Sequence, residues 1–408
     1  MYSILQSKYK GLKSEAAAFT RELIKCYSPS FREQDIARLV RKYMNKYGYD
    51  KVIQDDSGNI IGIIYGREHK PTLLLNSHMD TVLPADKGKW HHSPWGAQED
   101  QGKLYGCGAS DCRAGLACQL FAGALLKRSL LPFKGNLVVA ATVGEETGFS
   151  SGVRALLERT LPELELMPDY ALLGEPTELG LYYGHDGWID MDVKVQGHNV
   201  LDVDDAAGMI YRDFNFRNQN DTAAKPESFH SQSPVYQSND SQRRACINLT
   251  RRFNIREKPE DLLLQTRNEA LLAVQTVNNV AVAVDVHREH HNMYTGRDCT
   301  VTKVTHAWSV DPFSVLMERS RHALQAAGLE CRTGKWHLNR AGMATAGGVL
   351  VNEYDVSTIG YGPGTEDVIH GPDEYVKLNN IHTAVYGTAS IIHNLIGIPV
   401  FGWTIGSL

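Results

Sequence analysis

The stretch Leu73-Leu74-Leu75-Asn76-Ser77-His78-Met79-Asp80 decides the fold class of this chain. Its leucines predict a buried strand, and the strand ends where a histidine and an aspartate begin a loop. Two later apolar runs end in the same way, at Gly144-Glu145-Glu146 and at Gly174-Glu175-Pro176. Because the carboxyl ends of strands in an α/β sheet converge on one crevice, we expect these side chains to meet there.

Helical patterns alternate with these apolar strands. Apolar residues at helical spacing predict helices at 32–47, 115–127 and 379–396, and buried strands are predicted at 136–143 and 356–360. Alternation of this kind is typical of an α/β fold. We therefore expect a mostly parallel sheet with helices on both faces.

The pattern changes after Gly184, where a smaller α+β domain is predicted to interrupt the α/β domain. Residues 188–195 alternate apolar and polar side chains, as a half-exposed antiparallel strand does. Residues 212–244 are polar and poorly periodic and predict no clear element. The α/β pattern returns near Pro312. The expected division is 1–185 and 299–408 for the α/β domain, with 186–298 inserted between them.

Composition excludes several classes of partner. The chain has 408 residues, of which 42% are hydrophobic, and a net charge of −5. Such a charge gives no reason to expect nucleic acid or an anionic membrane as a partner. The seven cysteines show no Cys-x-x-Cys pairing, which argues against a cysteine zinc site and favours reduced thiols in the cytoplasm.

The strand ends supply the residue types of a metal centre. His78 and Asp80 are two residues apart, so on a strand both side chains lie on one face, and the carboxylate can orient the imidazole. Asp111 follows a glycine-rich approach, and its two oxygens could bridge two cations about 3.5–4 Å apart. The alternative for Asp111 is a helix N-cap, which is compatible with metal binding.

The pair Glu145-Glu146 is more specific. Adjacent carboxylates at the exit of a buried strand repel each other unless cations compensate. One can bind metal while its neighbour takes a proton from the attacking water. The alternative is a solvated pair at the start of a loop. His370 lies after the rigid loop Gly362-Pro363-Gly364, a setting that is more often structural when seen alone.

Taken together, the series resembles the co-catalytic zinc amidohydrolase and metallopeptidase family, which includes acetylornithine deacetylase, succinyl-diaminopimelate desuccinylase and glutamate carboxypeptidase. A branch of that family linked to selenium metabolism looks most similar in length and in the C-terminal part. The matching stretches are Asn76 to Val82, Gly106 to Gly115, Val143 to Glu146, Gly174 to Thr177 and Gly360 to Glu374.

The resemblance implies a role for each position. Asp111 would bridge both metals, and Glu145 would be the general base. His78 and Glu175 would complete one metal site, with Asp80 behind His78, and Glu146 and His370 would complete the other. The metals would be two divalent ions, with Zn²⁺ expected and Co²⁺ or Mn²⁺ as alternatives. The resemblance also implies a cis peptide bond between the bridging Asp111 and Cys112.

By the same resemblance, the inserted domain would be the family's lid and would form the homodimer contact. The sequence matches the family less well in this domain. Asn239 and Arg252 fit the spacing of the family's substrate-binding pair, although Thr250 replaces the family's aspartate, and Gly364 is assigned to substrate binding with them. The alternative for Arg252 is a solvated residue on a strand. Four residues after Gly197 the family places a histidine that stabilises the oxyanion, but this chain has Leu201 there. Loss of one such donor typically costs about 3–4 kcal/mol of transition-state stabilisation.

The function expected from this resemblance is two-metal amide hydrolysis by a metal-bound hydroxide, with Glu145 as base. Glu175 tilts the expected substrate toward an N-acyl amino acid or a short peptide with a free carboxylate, because an aspartate there accompanies aminopeptidases in the family. One alternative is a dipeptidase on the same site. The other is a catalytically impaired metal-binding homologue, since Leu201 replaces the lid histidine.

Overall fold

The computed structural model describes residues 1–84, 87–220, 229–238, 242–337 and 344–399. The helices, in chain order, are α1 Tyr2–Tyr9, α2 Lys13–Lys25, α3 Gln34–Lys46, α4 Ala114–Arg128, α5 Ser151–Ala155, α6 Leu161–Glu163, α7 Val200–Asn220, α8 Pro259–Ala273, α9 Val315–Ala326, α10 Gly347–Asn352 and α11 Leu378–Ile396.

The strands follow the same order. They are β1 Lys51–Gln54, β2 Ile60–Ile64, β3 Thr72–His78, β4 Gln98–Asp100, β5 Lys103–Tyr105, β6 Asn136–Thr142, β7 Tyr170–Leu173, β8 Leu181–Tyr182, β9 Gly184–His185, β10 Gly187–Gly197, β11 Phe229–Ser231, β12 Val235–Ser238, β13 Arg243–Phe253, β14 Val280–Val286, β15 Arg288–Asn292, β16 Asp298–Thr302, β17 Val304–Thr305, β18 Trp308–Ser309, β19 Thr333–Gly334, β20 Ser357–Gly360 and β21 Tyr375–Lys377.

An eight-stranded sheet in the order β1-β2-β6-β3-β7-β20-β8-β19 carries the α/β part of the chain. Its central strands β6, β3, β7 and β20 are parallel neighbours. Their carboxyl ends therefore lie at one edge of the sheet. The mixed α/β fold with a mostly parallel sheet is confirmed.

Helices and loops cover both faces of this sheet, because alternate strand residues point to opposite sides. Leu73 and Leu75 belong to one apolar core, with residues of α2, α3, α4 and α11. Leu74 belongs to a second core on the other face, with Leu156 and Val349. All three leucines are fully buried. The sheet is thus the middle of three layers.

A separate sheet of six strands, centred on β10 and β13, lies within the predicted insertion 186–298 and slightly beyond it. Helices α7 and α8 pack on one face through a third apolar core. Helix α7 occupies Val200–Asn220 and so extends into the stretch 212–244, where the sequence predicted no clear element. The short strand β17 pairs with β10 from outside the expected boundary, and the division at 186 and 298 stays a prediction.

The ribbon β15–β16 connects this second sheet to the α/β domain. His291 on the ribbon stacks on Phe31, with ring centroids 4.8 Å apart. Just beyond the ribbon, the Thr305 hydroxyl donates to the Gly148 carbonyl over 2.9 Å. The second sheet is therefore fixed beside the loop that follows Glu145 and Glu146. Among the described helices, none is long and apolar enough to span a bilayer.

Candidate metal centre

The parallel strand ends bring five of the predicted residues into one cluster. His78 is the last residue of β3, and Glu145 and Glu146 follow β6. Glu175 follows β7, and His370 lies in the loop after β20. Because all of these strands run in the same direction, their loops open at the same edge of the sheet.

Asp111 lies between the two histidines of the cluster. Its Oδ1 is 3.1 Å from Nε2 of His78, and its Oδ2 is 3.4 Å from Nε2 of His370. One carboxylate therefore faces a different imidazole with each oxygen. This is the arrangement that a carboxylate bridging two cations requires.

Each histidine belongs to a separate group of donors. His78, Asp111, Cys112 and Glu175 form the first group, and Asp111, Glu146 and His370 form the second. In the first, Nε2 of His78 lies 3.9 Å from a Glu175 oxygen. In the second, Nε2 of His370 lies 2.9 Å from a Glu146 oxygen. Imidazole and carboxylate donors suit divalent transition metals such as zinc.

The buried polar atoms of the cluster fit a pair of cations. Nε2 of His370, Oε1 of Glu146 and Oε2 of Glu145 are buried without a hydrogen-bond partner among the described residues. Nε2 of His370 is close to Glu146 without the geometry of a hydrogen bond, as expected for two ligands that share a metal. Unsatisfied buried groups of this kind are costly in a folded protein, so cations are the natural compensation.

Electrostatics indicate the same need for positive charge. Burial alone would lower the pKa of His370, but Glu146 and Asp111 raise it to about 11. Burial likewise favours the neutral form of Asp111, yet His370 and His78 hold the pKa of that carboxyl far below its usual range. The cluster therefore stabilises cations at both imidazole positions.

Asp80 ties the first histidine to the loop that carries the glutamates. Nδ1 of His78 lies 2.9 Å from the main-chain oxygen of Asp80 and 3.5 Å from its carboxylate. The carboxylate itself accepts the main-chain N–H groups of Glu145 and Glu146, at 3.1 Å and 3.0 Å. The main-chain oxygen of Asp80 therefore orients the imidazole of His78, whereas the carboxylate of Asp80 fixes the loop that follows β6.

Glu145 is set apart from the donors. Neither group includes it among the described residues, and only 4% of its surface is exposed. The Ser150 hydroxyl donates to its Oε1 over 3.1 Å. Burial raises the pKa of Glu145 to about 7, against a smaller lowering by His78. A carboxylate with a pKa near neutrality is suited to accept and return a proton.

The loop that carries Asp111 is held by a residue whose role the sequence did not reveal. Glu374 accepts the main-chain N–H groups of Gly108, Ser110 and Asp111, at 2.9, 2.8 and 3.1 Å. Glu374 lay at the end of a family-like stretch, but nothing in that stretch indicated which loop it would bind.

The predicted cis peptide between Asp111 and Cys112 is confirmed. Helix α4 begins at Ala114 without a side-chain cap, so the N-cap interpretation of Asp111 is wrong.

Two more buried charged residues support the centre from behind. Glu33 accepts the main-chain N–H of Gly144 over 3.0 Å, just before Glu145. The fully buried Arg113 donates to the Ser28 hydroxyl over 2.7 Å, and that hydroxyl donates to the carbonyl of Met79. Both residues are far in sequence from what they hold, so periodicity and motif spacing could not identify them.

The predicted substrate residues differ in where the structure places them. Gly364 lies against the Asp111 loop, because a Cβ there would come within 2.4 Å of the Ser110 carbonyl oxygen. Arg252 pairs with Asp186 over 3.0 Å and donates to the His337 carbonyl over 2.6 Å. Asn239 lies outside the described residues. Leu201, in the first turn of α7, is 72% exposed.

Comparison with known proteins agrees with this geometry. Residues 74–394 match the family model described as peptidase family M20/M25/M40. The YgeY protein of Escherichia coli K12, itself described as uncharacterized, is 25% identical over 412 residues, which cover 96% of each chain.

Solved structures share the fold at low identity. The dipeptidase Dug1p of Saccharomyces cerevisiae superposes with a TM-score of 0.70 at 14% identity, covering 97% of this chain and 98% of that one. The YXEP protein of Bacillus subtilis, described as a dinuclear metal-binding peptidase of family M20, gives 0.65 at 14% identity, covering 94% and 98%.

Fold, donor groups and family match together define a metal-dependent hydrolase that acts on peptide or other C–N bonds. The chain belongs to peptidase family M20/M25/M40.

Proposed function

We propose that this protein hydrolyses the amide bond of an N-acyl amino acid or of a short peptide with a free carboxylate, using two divalent cations. The observation that carries the proposal is the placement of Asp111, whose two oxygens face His78 and His370 separately. Glu175 and His78 would hold one cation and Glu146 and His370 the other, with Asp111 shared. Zinc is the proposed metal, with cobalt and manganese as alternatives.

The cations, when bound, would supply Lewis-acid activation of water and of the substrate carbonyl. The protein's own residues would do the rest. Glu145 would take the proton of the attacking water and deliver it to the leaving nitrogen. Its burial and its pKa of about 7 support this assignment. Asp80 would keep His78 and the Glu145 loop in register through the hydrogen bonds described above.

Arg252 is the proposed partner of the substrate carboxylate. Its side chain is only 13% exposed, and the guanidinium already pairs with the carboxylate of Asp186. A substrate carboxylate could replace Asp186 and keep a charge-assisted pair of the same kind. Asn239 and Gly364 are proposed to complete the substrate pocket, as the family resemblance implies.

A homodimer formed through the inserted region and a cytoplasmic location complete the proposal. All seven cysteines are free thiols, which supports a reducing compartment. Sedimentation equilibrium would test the dimer, and a monomer at micromolar concentration would contradict it.

A screen of metal-loaded protein tests the function. N-acyl amino acids, dipeptides and the corresponding C-terminal amides would be compared. Turnover of N-acyl amino acids, with loss of activity on the amides, supports the proposal. Preference for dipeptides would favour the second candidate, a dipeptidase, which the shared fold with Dug1p makes worth testing. Two bound metals without any turnover would favour a metal-binding homologue and overturn the proposal.

A further inference from the structure

A thiol stands among the donors of the first group. One donor atom each of His78, Asp111, Glu175 and Cys112 lies within 4.8 Å of the others. Cys112 has none of its surface exposed, so its sulfur approaches the group from the protein interior. The second group, formed by Asp111, Glu146 and His370, contains only nitrogen and oxygen donors.

The backbone and a hydrogen bond hold this sulfur in place. Cys112 has φ −128° and ψ 35°, outside the helix that begins two residues later. The main-chain N–H of His78 donates to Sγ of Cys112 over 3.2 Å. Hydrogen bonds of this kind orient a metal ligand and tune its donor strength. The sulfur is therefore fixed to the same residue whose ring provides the nitrogen donor.

A buried cysteine can also act as a small apolar residue with no other role. The surroundings of Cys112 argue against that reading, because an imidazole and two carboxylates converge on it. A divalent cation deprotonates a thiol that coordinates it, and the proton is released to solvent.

We propose that Cys112 is a fourth protein ligand of the metal position formed by His78, Asp111 and Glu175. This inference rests on the proposed two-metal function and adds a selectivity to it. Thiolate is a soft ligand that favours zinc over manganese or magnesium, whereas carboxylates and imidazole accept a wider range of metals. The two positions would then differ, with a zinc-selective position beside Cys112 and a more permissive one beside Glu146.

The proposal also assigns different coordination to the two positions. Four protein ligands fill the tetrahedral set that zinc prefers, whereas catalytic zinc keeps an open position. The position of Asp111, Glu146 and His370 has three protein ligands. It is therefore the position with room for a further ligand, and it lies beside Glu146, next in sequence to the proposed base.

Cobalt substitution tests the sulfur ligand directly. Full-length protein is stripped, loaded with Co²⁺ and compared with Cys112→Ser and the control Cys107→Ser. Cys107 is also buried, but among the described residues it belongs to neither donor group, and its thiol donates to the Val82 carbonyl over 3.3 Å. We expect a sulfur-to-cobalt charge-transfer band in the near ultraviolet for the unmodified protein and for Cys107→Ser, and its loss in Cys112→Ser.

Two bound cobalt ions without this band in the unmodified protein would overturn the inference and leave the two-metal function standing. Fewer than two bound ions would overturn both.

X-ray absorption at the zinc edge tests the same ligand on the unmodified protein, so the result does not depend on the folding of a variant. We expect the unmodified protein with two zinc ions to show a sulfur scatterer at about 2.3 Å beside nitrogen and oxygen at about 2.0–2.2 Å. A shell of nitrogen and oxygen alone would overturn the inference. In competition between zinc and manganese, Cys112→Ser should lose the zinc preference at one of the two positions, whereas Cys107→Ser should keep it.

Discussion

The metal cluster and the inserted six-stranded sheet position their charged groups in different ways. In the cluster, the charged side chains other than Asp111 lie at the ends of parallel strands of one sheet, and buried carboxylates such as Asp80 and Glu374 bind the neighbouring loops. In the inserted region, Arg252 lies on an antiparallel strand and its partners come from distant segments. The large sheet therefore positions most residues of the cluster. In the inserted region, the position of Arg252 depends on contacts with segments that are distant in sequence.

Glu145→Ala tests the cluster with the largest expected effect. Loss of the base should lower kcat by about 10²–10⁴-fold, because the proton of the attacking water then has no acceptor. Metal content should stay at the level of the unmodified protein. The control Ser150→Ala removes only the hydrogen bond to Oε1 and should keep most of the turnover. Loss of metal together with turnover would show that Glu145 is structural or a ligand.

Glu374→Ala tests how firmly the Asp111 loop is held. It would leave three buried N–H groups without a partner, each costing about 1–3 kcal/mol. The free energy of unfolding, measured in urea, should fall by at least about 3 kcal/mol on that basis. The exposed Glu330→Ala should stay within about 0.5 kcal/mol. A change of the same small size in Glu374→Ala would mean that other contacts hold the loop.

Arg252→Ala separates substrate binding from metal chemistry. A charge-assisted pair contributes about 1.5–3 kcal/mol, so KM should rise roughly 10–100-fold for substrates with a free carboxylate. KM for C-terminal amides, kcat and metal content should not change. Arg251→Ala is the matched control, because Arg251 bonds Gln265 and Glu257 instead. Equal losses on both kinds of substrate would assign Arg252 a structural role through Asp186.

Leu201→Ala tests the inserted region with the smallest expected effect. The side chain is 72% exposed on α7, so we expect a stability change within about 0.5 kcal/mol. Turnover should also be unchanged, since a leucine offers no hydrogen bond to an oxyanion. A tenfold fall in kcat would show that this face of α7 takes part in the reaction, and the contrast between the two regions would no longer hold.

The same contrast explains what the sequence could predict. His78 and Glu146 follow apolar runs, and parallel strands carry such positions to one edge whatever the loops do. Glu374 could not be assigned, because its partner Asp111 is 263 residues away. The part of α7 within 212–244 was not predicted because that stretch is polar and poorly periodic, and the helix is held through a few side chains, such as Ile210 and Phe214, that pack on the second sheet. The pairing of Arg252 with Asp186 depends on tertiary contact and has no local signal.

Metal stoichiometry of the saturated protein tests the central claim most directly. Equilibrium dialysis followed by mass spectrometry should find two divalent ions per chain in the unmodified protein, because Asp111 faces both histidines. It should find one in His370→Ala and none in Asp111→Ala. A single ion in the unmodified protein, or two in Asp111→Ala, would contradict a shared centre built on that residue.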